Sequence, residues 1–271
     1  LDLKNAFREV HHNLIRCVSQ YHHVPSEIQL LVGSLYNDFQ VTIVTDNFVT
    51  EYIKVGRGVL QGDCLSPLLF NMMMHTFITY VSRTEYKQLG FRYLKLMLPR
   101  HWLQYADDAV AISGTESENQ ILLNAFVKWC AWSGMTIRVD KCSTFGIRKV
   151  GTCSKQIKPN LFVNNERIRS VSIGESFVYL GKSFNFNMNN SSQKIHLITK
   201  FSDLMQQVSD LPLDPKNKLL LYHRFILPRI SWDLTILDLT TTWVKQIMGN
   251  IASRVFFARG LKSQYPARST S

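Results

Sequence analysis

The chain has 271 residues, is 45% hydrophobic and carries a net charge of +11. That length and apolar share support a sizeable core and exclude global disorder. Five scattered cysteines (Cys17, Cys64, Cys130, Cys142, Cys153) with no C-x-x-C pair argue against a disulfide framework or a zinc site, and for a reducing compartment.

The charge is uneven. Residues 1–137 hold 11 Lys+Arg against 12 Asp+Glu, a net of −1, whereas residues 138–271 hold 20 against 8, a net of +12. A near-neutral half followed by a basic half suits a catalytic module followed by one that grips a polyanion, with a generic basic surface as the open alternative.

In chain order, Leu1-Asp2-Leu3 reads as the end of a buried strand. One helix is expected after it, with Phe7, Val10, Leu14, Cys17, Val18 and Tyr21 on one face. Pro25-Ser26 opens a second helix carrying Ile28, Leu31 and Leu35. Phe39, Val41 and Ile43 alternate with polar residues, Asp46-Asn47 turns the chain, and Val49 to Val55 returns as a hairpin. Gly56 to Asp63 is a glycine-punctuated loop, and Ser66-Pro67 opens a long apolar helix to about Arg83. The most apolar run, Leu65 to Val81, contains Asn71, His75 and Thr76 and is short for a membrane span; no signal peptide is visible. The His11-His12 and His22-His23 doublets look ligand-like, but neighbours on a helix point in different directions and no Cys or carboxylate stands at ligand spacing.

The central stretch is Leu103 to Ile112, where Asp107 and Asp108 interrupt two short apolar runs. Apolar flanks favour burial, while adjacent like charges resist it unless a cation neutralises them. A hairpin with the pair at its turn, on the floor of a cleft and facing Mg²⁺, is one reading; a surface turn is the other. Glu116 to Trp132 then reads as a helix with Ile121, Leu122, Ala125, Phe126 and Trp129 inward, ended by Gly134. Thr136 to Val139 is a strand, residues 143–187 are short strands with an Asn164-Asn165 turn, and 187–193 is an Asn/Ser-rich connector. The remainder is helical, its last helix carrying Val244, Ile247, Met248, Ile251 and Val255 on one face, with a loose tail over 261–271. The expected class is α+β: an antiparallel sheet with helices on one face over 1–187, then an all-α region over 188–260. Position 1 is Leu, and the chain opens on a strand that carries a candidate site residue, so a piece of a longer protein is expected.

Two-metal phosphoryl transfer needs several carboxylates at one point in space. Asp107 and Asp108 supply two. Asp2, between two leucines in a strand-like context, is the best third, although taken alone it reads rather as a helix N-cap.

Asp2-Leu3-Lys4-Asn5-Ala6-Phe7, then Gly58 to Phe70 with its Gln61-Gly62-Asp63-Cys64-Leu65-Ser66-Pro67 core, then Tyr105-Ala106-Asp107-Asp108, resemble in order the palm motifs of reverse transcriptases, most closely those of non-LTR (LINE-like) retrotransposons. Gly134 to Cys142 and Tyr179-Leu180-Gly181 resemble the two motifs that follow, and the helical remainder is similar to a thumb. The resemblance implies an RNA-directed DNA polymerase that adds dNTPs to a primer 3′-OH on an RNA template, with two Mg²⁺ (or Mn²⁺) ions. Its partners are the RNA template and DNA primer, with no membrane, and its place of action is the nucleus.

It implies that Asp2, Asp107 and Asp108 are catalytic and hold the metals with the Leu3 carbonyl. Phe7, Gln61, Gly62 and Lys141 form the nucleotide site, with Phe7 set against a ribose 2′-OH. Tyr179, Leu180 and Gly181 hold the primer, and Arg224, Arg229, Lys245, Arg254 and Arg259 contact the nucleic-acid backbone. From the residues alone, Phe7 reads equally as core, Gln61 as plain loop, and the cations as solvated surface. Arg8 stands where many relatives have an acidic residue, at a position that holds no metal in the family. The fingers that precede the first motif in the family, and the endonuclease of LINE-like elements, have no counterpart among these residues. The alternative function is a copy that grips nucleic acid without turnover.

Overall fold

The structure, a computed structural model, describes residues 1–83 and 85–257, the last eight of these as backbone only. The expected tail at 261–271 and Arg259 lie outside the described residues, as do the side chains of Ile251, Arg254 and Val255. The chain divides into two compact units, 1–172 and 173–271.

In the first unit, the expected single helix is two: α1 (Ala6–Glu9) and α2 (His12–Tyr21), with Val10 and His11 extended between them. Val10 is completely buried beside a passing strand. Its carbonyl accepts from Gly58 N at 2.7 Å, the Phe7 carbonyl accepts from Val59 N at 2.8 Å, and His11 bridges Arg57. A buried β-branched residue here exchanges helical bonds for sheet-like ones. The break ties the 56–63 loop to the segment that follows Asp2.

Helix α3 (Ser26–Tyr36) buries Val32 and Tyr36, whereas Ile28, Leu31 and Leu35 face outward, contrary to expectation. It leans on α2 through a narrow stripe, with Tyr36 packed 4.9 Å from the His12 ring. Strands β1 (Gln40–Val41) and β2 (Ile53–Lys54) form the expected hairpin, continued by a Val44–Val49 bridge. Helix α4 (Ser66–Arg83) starts where the Asp63 carboxylate accepts from Ser66 N, a bond that holds the Asp63 carboxyl below its ordinary range.

Strands β3 (Trp102–Tyr105) and β4 (Asp108–Ala111) form the central hairpin. Helix α5 (Glu116–Ser133) is capped by Thr115, which accepts from Glu118 N, and ends at Gly134 with φ 76°. Leu122, Ala125, Phe126 and Trp129 face inward as expected, while Ile121 faces solvent. Phe77 of α4 packs against Trp102, Phe126 and Trp129 at centroid distances of 4.7 to 5.7 Å, so both helices cover the Trp102 face of the hairpin.

The hairpin does not stand alone. Leu1 and Ala109 exchange two backbone hydrogen bonds, at 2.8 and 3.4 Å. On the other side, Arg138 N donates to Asp2 O at 2.9 Å and Lys4 N to Thr136 O at 2.8 Å, with Leu3 opposite Ile137. The order is therefore β3, β4, residues 1–4, residues 136–138, all antiparallel. Beyond it, Ser143–Thr144 pairs in parallel with Arg169–Ser170, and two small hairpins follow residue 145. One of them turns at Asn164-Asn165, both at positive φ, as a two-residue turn of the primed type requires.

The second unit contains the hairpin Phe177–Tyr179/Lys182–Phe184, which the sequence groups with residues 1–187. Among the described residues four helices follow: α6 (Ser191–Asp210), α7 (Pro215–Leu221), α8 (Leu227–Ile236) and α9 (Thr241–Phe257), with a wide turn at Tyr222–Ile226 joining α7 to α8. Leu197, Phe201 and Met205 of α6 bury against Ile226 and Ile230.

Candidate active site

The turn of the central hairpin has two residues, Ala106 and Asp107, between the paired Tyr105 and Asp108. Ala106 has φ 50°, a left-handed conformation that a non-glycine residue enters only under constraint. The constraint is a side-chain chain: Trp102 Nε1 donates to Gln104 Oε1 at 2.7 Å, and Gln104 Nε2 donates to Ala106 O. Trp102 is itself buried among Phe77 and Phe126. Gln104 thus links the core to the turn that presents Asp107. A polar residue in phase with Trp102, on the inward side of the strand, was the available sign of this.

Strand alternation turns Trp102 and Ala109 inward and Asp108 outward. Counting from the Leu1–Ala109 pair, Asp2 stands opposite Asp108 and Leu3 opposite Asp107. Asp2 and Asp108 therefore share the outward face; Cβ atoms in such cross-strand pairs lie about 4.5–5.5 Å apart. The same alternation places the Leu3 carbonyl on the edge facing the hairpin, because the Asp2 carbonyl and the Lys4 amide point the other way, toward Arg138 and Thr136.

The Asp108 carboxyl is pushed above its ordinary range, first by burial, next by the Asp107 charge and further by Asp2, against the opposing pull of the Leu1 amino group. Asp2 Oδ2 is buried with no hydrogen bond, and Arg138 Nε lies 3.5 Å from it. Beneath, Asp2 N donates to Cys142 Sγ at 3.4 Å, and Cys142 is fully enclosed. Arg138 and Cys142 escaped the sequence argument because their partner lies about 140 residues away and neither occupies a recognisable spacing.

The Asp107 and Asp2 charges that act on Asp108, and the orphaned Asp2 oxygen, are the kind of groups a divalent cation would neutralise. Among the described residues no group of three or more His, Cys, Asp and Glu is arranged to hold a metal ion. Asp107 and Asp2 each lie within electrostatic reach of Asp108, outside a closed ligand shell, with Arg138 drawing Asp2 toward the 136–138 strand.

Three of the four expected nucleotide-site residues meet. Phe7, Gln61 and Gly62, with Leu60, Asp63, Ser66 and Pro67, line a cavity of about 180 Å³. The Phe7 ring stacks on Phe70 at 4.4 Å and 12°, so it is both a core contact and a cavity wall. Ser66 is buried, and its Oγ has no hydrogen-bond partner. The loop approaches closely at Gly58, where a Cβ would stand 3.2 Å from the Arg8 backbone at φ 95°. Lys141 does not line this cavity; it is exposed at the end of a short 3₁₀ turn, Val139–Lys141.

In the second unit, Tyr179, Leu180 and Gly181 form the tip of the Phe177–Phe184 hairpin. Arg224, Arg229 and Lys245 are exposed and make no ion pair among the described residues. The histidine doublets serve carbonyls: a His12 ring nitrogen lies 2.9 Å from Gly58 O, and one of His22 lies 2.9 Å from Met72 O. Among the described residues no helix is long and apolar enough to cross a membrane.

The sequence model of the reverse transcriptase (RNA-dependent DNA polymerase) family matches residues 1–184. The chain is 25% identical over 240 residues to a retrovirus-related Pol polyprotein from type-1 retrotransposable element R2 of Nasonia vitripennis, covering 87% of this chain and 22% of the relative. It is 24% identical over 238 residues to a protein of the same description from Popillia japonica, covering 86% and 38%. It is also 24% identical over 238 residues to a retrovirus-related Pol polyprotein from type-2 retrotransposable element R2DM of Drosophila melanogaster, covering 87% and 22%. The chain thus spans 22% to 38% of the length of these relatives.

Proposed function

Because the chain belongs to the reverse transcriptase (RNA-dependent DNA polymerase) family, we propose that it carries the polymerising site of a retrotransposon protein and extends a primer 3′-OH with dNTPs on an RNA template. The observation that supports this best is the placement of Asp2 and Asp108 on one outward face, beside the Asp107 turn. In this reading the ladder of the first unit is the palm, and the helices of the second are thumb-like.

Asp2, Asp107 and Asp108, with the Leu3 carbonyl, would hold two Mg²⁺, which when bound supply charge for the attacking and leaving oxygens. The chain's own residues do the rest. Phe7 stands against the sugar edge where a 2′-OH would sit, and so selects deoxynucleotides. Gln61 and Gly62 shape the wall of the nucleotide cavity. Gln104 keeps the Ala106-Asp107 turn aimed. Lys141 offers a cation to the triphosphate. Tyr179, Leu180 and Gly181 hold the primer, and Arg224, Arg229 and Lys245 contact phosphates.

Primer extension on poly(rA)/oligo(dT) with Mg²⁺, comparing the chain with Asp107→Ala, tests the assignment. Incorporation by the unsubstituted chain and a loss of at least about 1,000-fold in the variant is expected, equivalent to about 4 kcal/mol of barrier. Equal incorporation by both, or none by either, contradicts it.

A further inference from the structure

The hairpin at 177–184 turns through a backbone shape that its own sequence does not favour. Leu180 has φ 49° and Gly181 φ 78°, and Tyr179 pairs with Lys182 across them, so this is a two-residue turn with both central residues left-handed. Such turns favour Asn-Gly; a leucine at the first position is strained by its Cβ. Two side chains from the helices of the same unit meet the turn. Trp232 Nε1 on α8 donates to Leu180 O at 3.0 Å, and Gln193 Nε2 on α6 donates to Gly181 O at 3.1 Å. The fit is tight: a Cβ on Gly181 would lie 2.7 Å from Trp232 Nε1. Trp232 is about half exposed, at 53%, so its burial alone does not account for a large indole at this place.

We propose that Trp232 is a positioning residue for the Tyr179-Leu180-Gly181 turn, its indole N–H holding Leu180 in the left-handed conformation so that the tip is preformed for the primer strand. The inference rests on the primer-holding role proposed above. Trp232 does not touch the primer; it acts through the Leu180 carbonyl. Gln193 is the second clamp, fixing the next carbonyl along.

A double-variant cycle tests it. Trp232→Phe keeps an aromatic ring and removes the donor. Leu180→Asn gives the turn the Asn-Gly sequence that holds this shape unaided. Two quantities are measured on the full chain: amide exchange over residues 177–184, and Kd for an RNA/DNA primer–template against single-stranded RNA.

Trp232→Phe is expected to speed exchange at the turn and weaken primer–template binding by about three- to ten-fold, the loss of one hydrogen bond. Binding of single-stranded RNA stays unchanged. In the Leu180→Asn background, adding Trp232→Phe changes both quantities less than about two-fold, because the turn no longer depends on the indole. Equal effects of Trp232→Phe in both backgrounds overturn the proposal, since they place the role of Trp232 outside the turn. So does unchanged exchange. Faster exchange with unchanged primer affinity overturns it in a distinguishable way: the clamp on the turn survives, and the primer-holding role of the tip fails.

Discussion

Two hairpins with two-residue turns carry most of the functional argument, and they are stabilised in opposite ways. The turn at Ala106-Asp107 is held from within: Gln104 of the same hairpin reaches its carbonyl, Trp102 of the same strand anchors Gln104, and Ala109 is paired on both sides. The turn at Leu180-Gly181 is held from outside, by Trp232 and Gln193 on helices that follow later in the chain. Each contains one non-glycine residue near φ 50°, so each carries local strain. In the first the strain is balanced within ten residues; in the second it is balanced across 12 by Gln193 and across 52 by Trp232. A turn of the first kind keeps its shape wherever its strands pair. A turn of the second kind depends on the packing of its whole unit.

The largest expected contrast lies in the aromatic anchors. Trp102→Ala removes a ring buried among Phe77 and Phe126 and should cost about 3–5 kcal/mol. Phe184→Ala removes a half-buried ring stacked on Phe177 and should cost about 1 kcal/mol. Urea unfolding of both variants checks this, and equal losses would erase the distinction between the two hairpins.

A smaller contrast of opposite sign is expected at the turns. Gly181→Ala meets Trp232 at positive φ and should destabilise by about 1–3 kcal/mol. Ala106→Gly relieves a left-handed alanine and should stabilise by up to about 1 kcal/mol, since only one partly buried methyl is lost from the edge of the core. Loss of stability in Ala106→Gly would mean that the Gln104 bond does not fix the turn in the way described.

The smallest effect is electrostatic and depends on pH. The Asp108 carboxyl binds its proton more tightly in the folded chain than in the unfolded one. Stability is therefore complete below the ordinary carboxylate range and is lost as pH rises through the raised folded value. Asp108→Asn removes that loss, so in EDTA at neutral pH its Tm should exceed that of the unsubstituted chain by about 1–3 °C, and the gap should close in acid. Adding Mg²⁺ should raise the Tm of the unsubstituted chain and reverse the order, because ligand binding to the folded state stabilises it. A Tm gap independent of pH would show that Asp108 is under pressure neither from burial nor from Asp107 and Asp2.

The same contrast explains how much was legible in the sequence. The central hairpin, its turn at Asp107, and the helices opening at Ser66 and Glu116 were readable because each is specified by neighbours: strand alternation, a proline after a serine, an apolar stripe closed by Gly134. The meeting of Phe7 with Gln61 and Gly62 was expected from motif resemblance, and its physical cause, the helix break at Val10 that ties down the 56–63 loop, was not. A buried valine gives no local sign of whether it continues a helix or pairs with a strand. The outward faces of Leu31 and Ile121 were missed for a related reason: helical periodicity shows a stripe but not which neighbour covers it. Arg138, Cys142 and Trp232 act across long separations and leave no trace in spacing.

In the proposed function Asp2 and Asp107, far apart in sequence, act as one centre. It is tested most directly by Mg²⁺-dependent single-nucleotide incorporation on an RNA-templated primer, measured for the unsubstituted chain, Asp2→Asn, Asp107→Asn and the double variant. Residues that act as a unit give single losses of about 1,000-fold each and a double loss within about ten-fold of either. Losses that multiply in the double variant, a single variant that keeps full activity, or no incorporation by the unsubstituted chain would contradict the account.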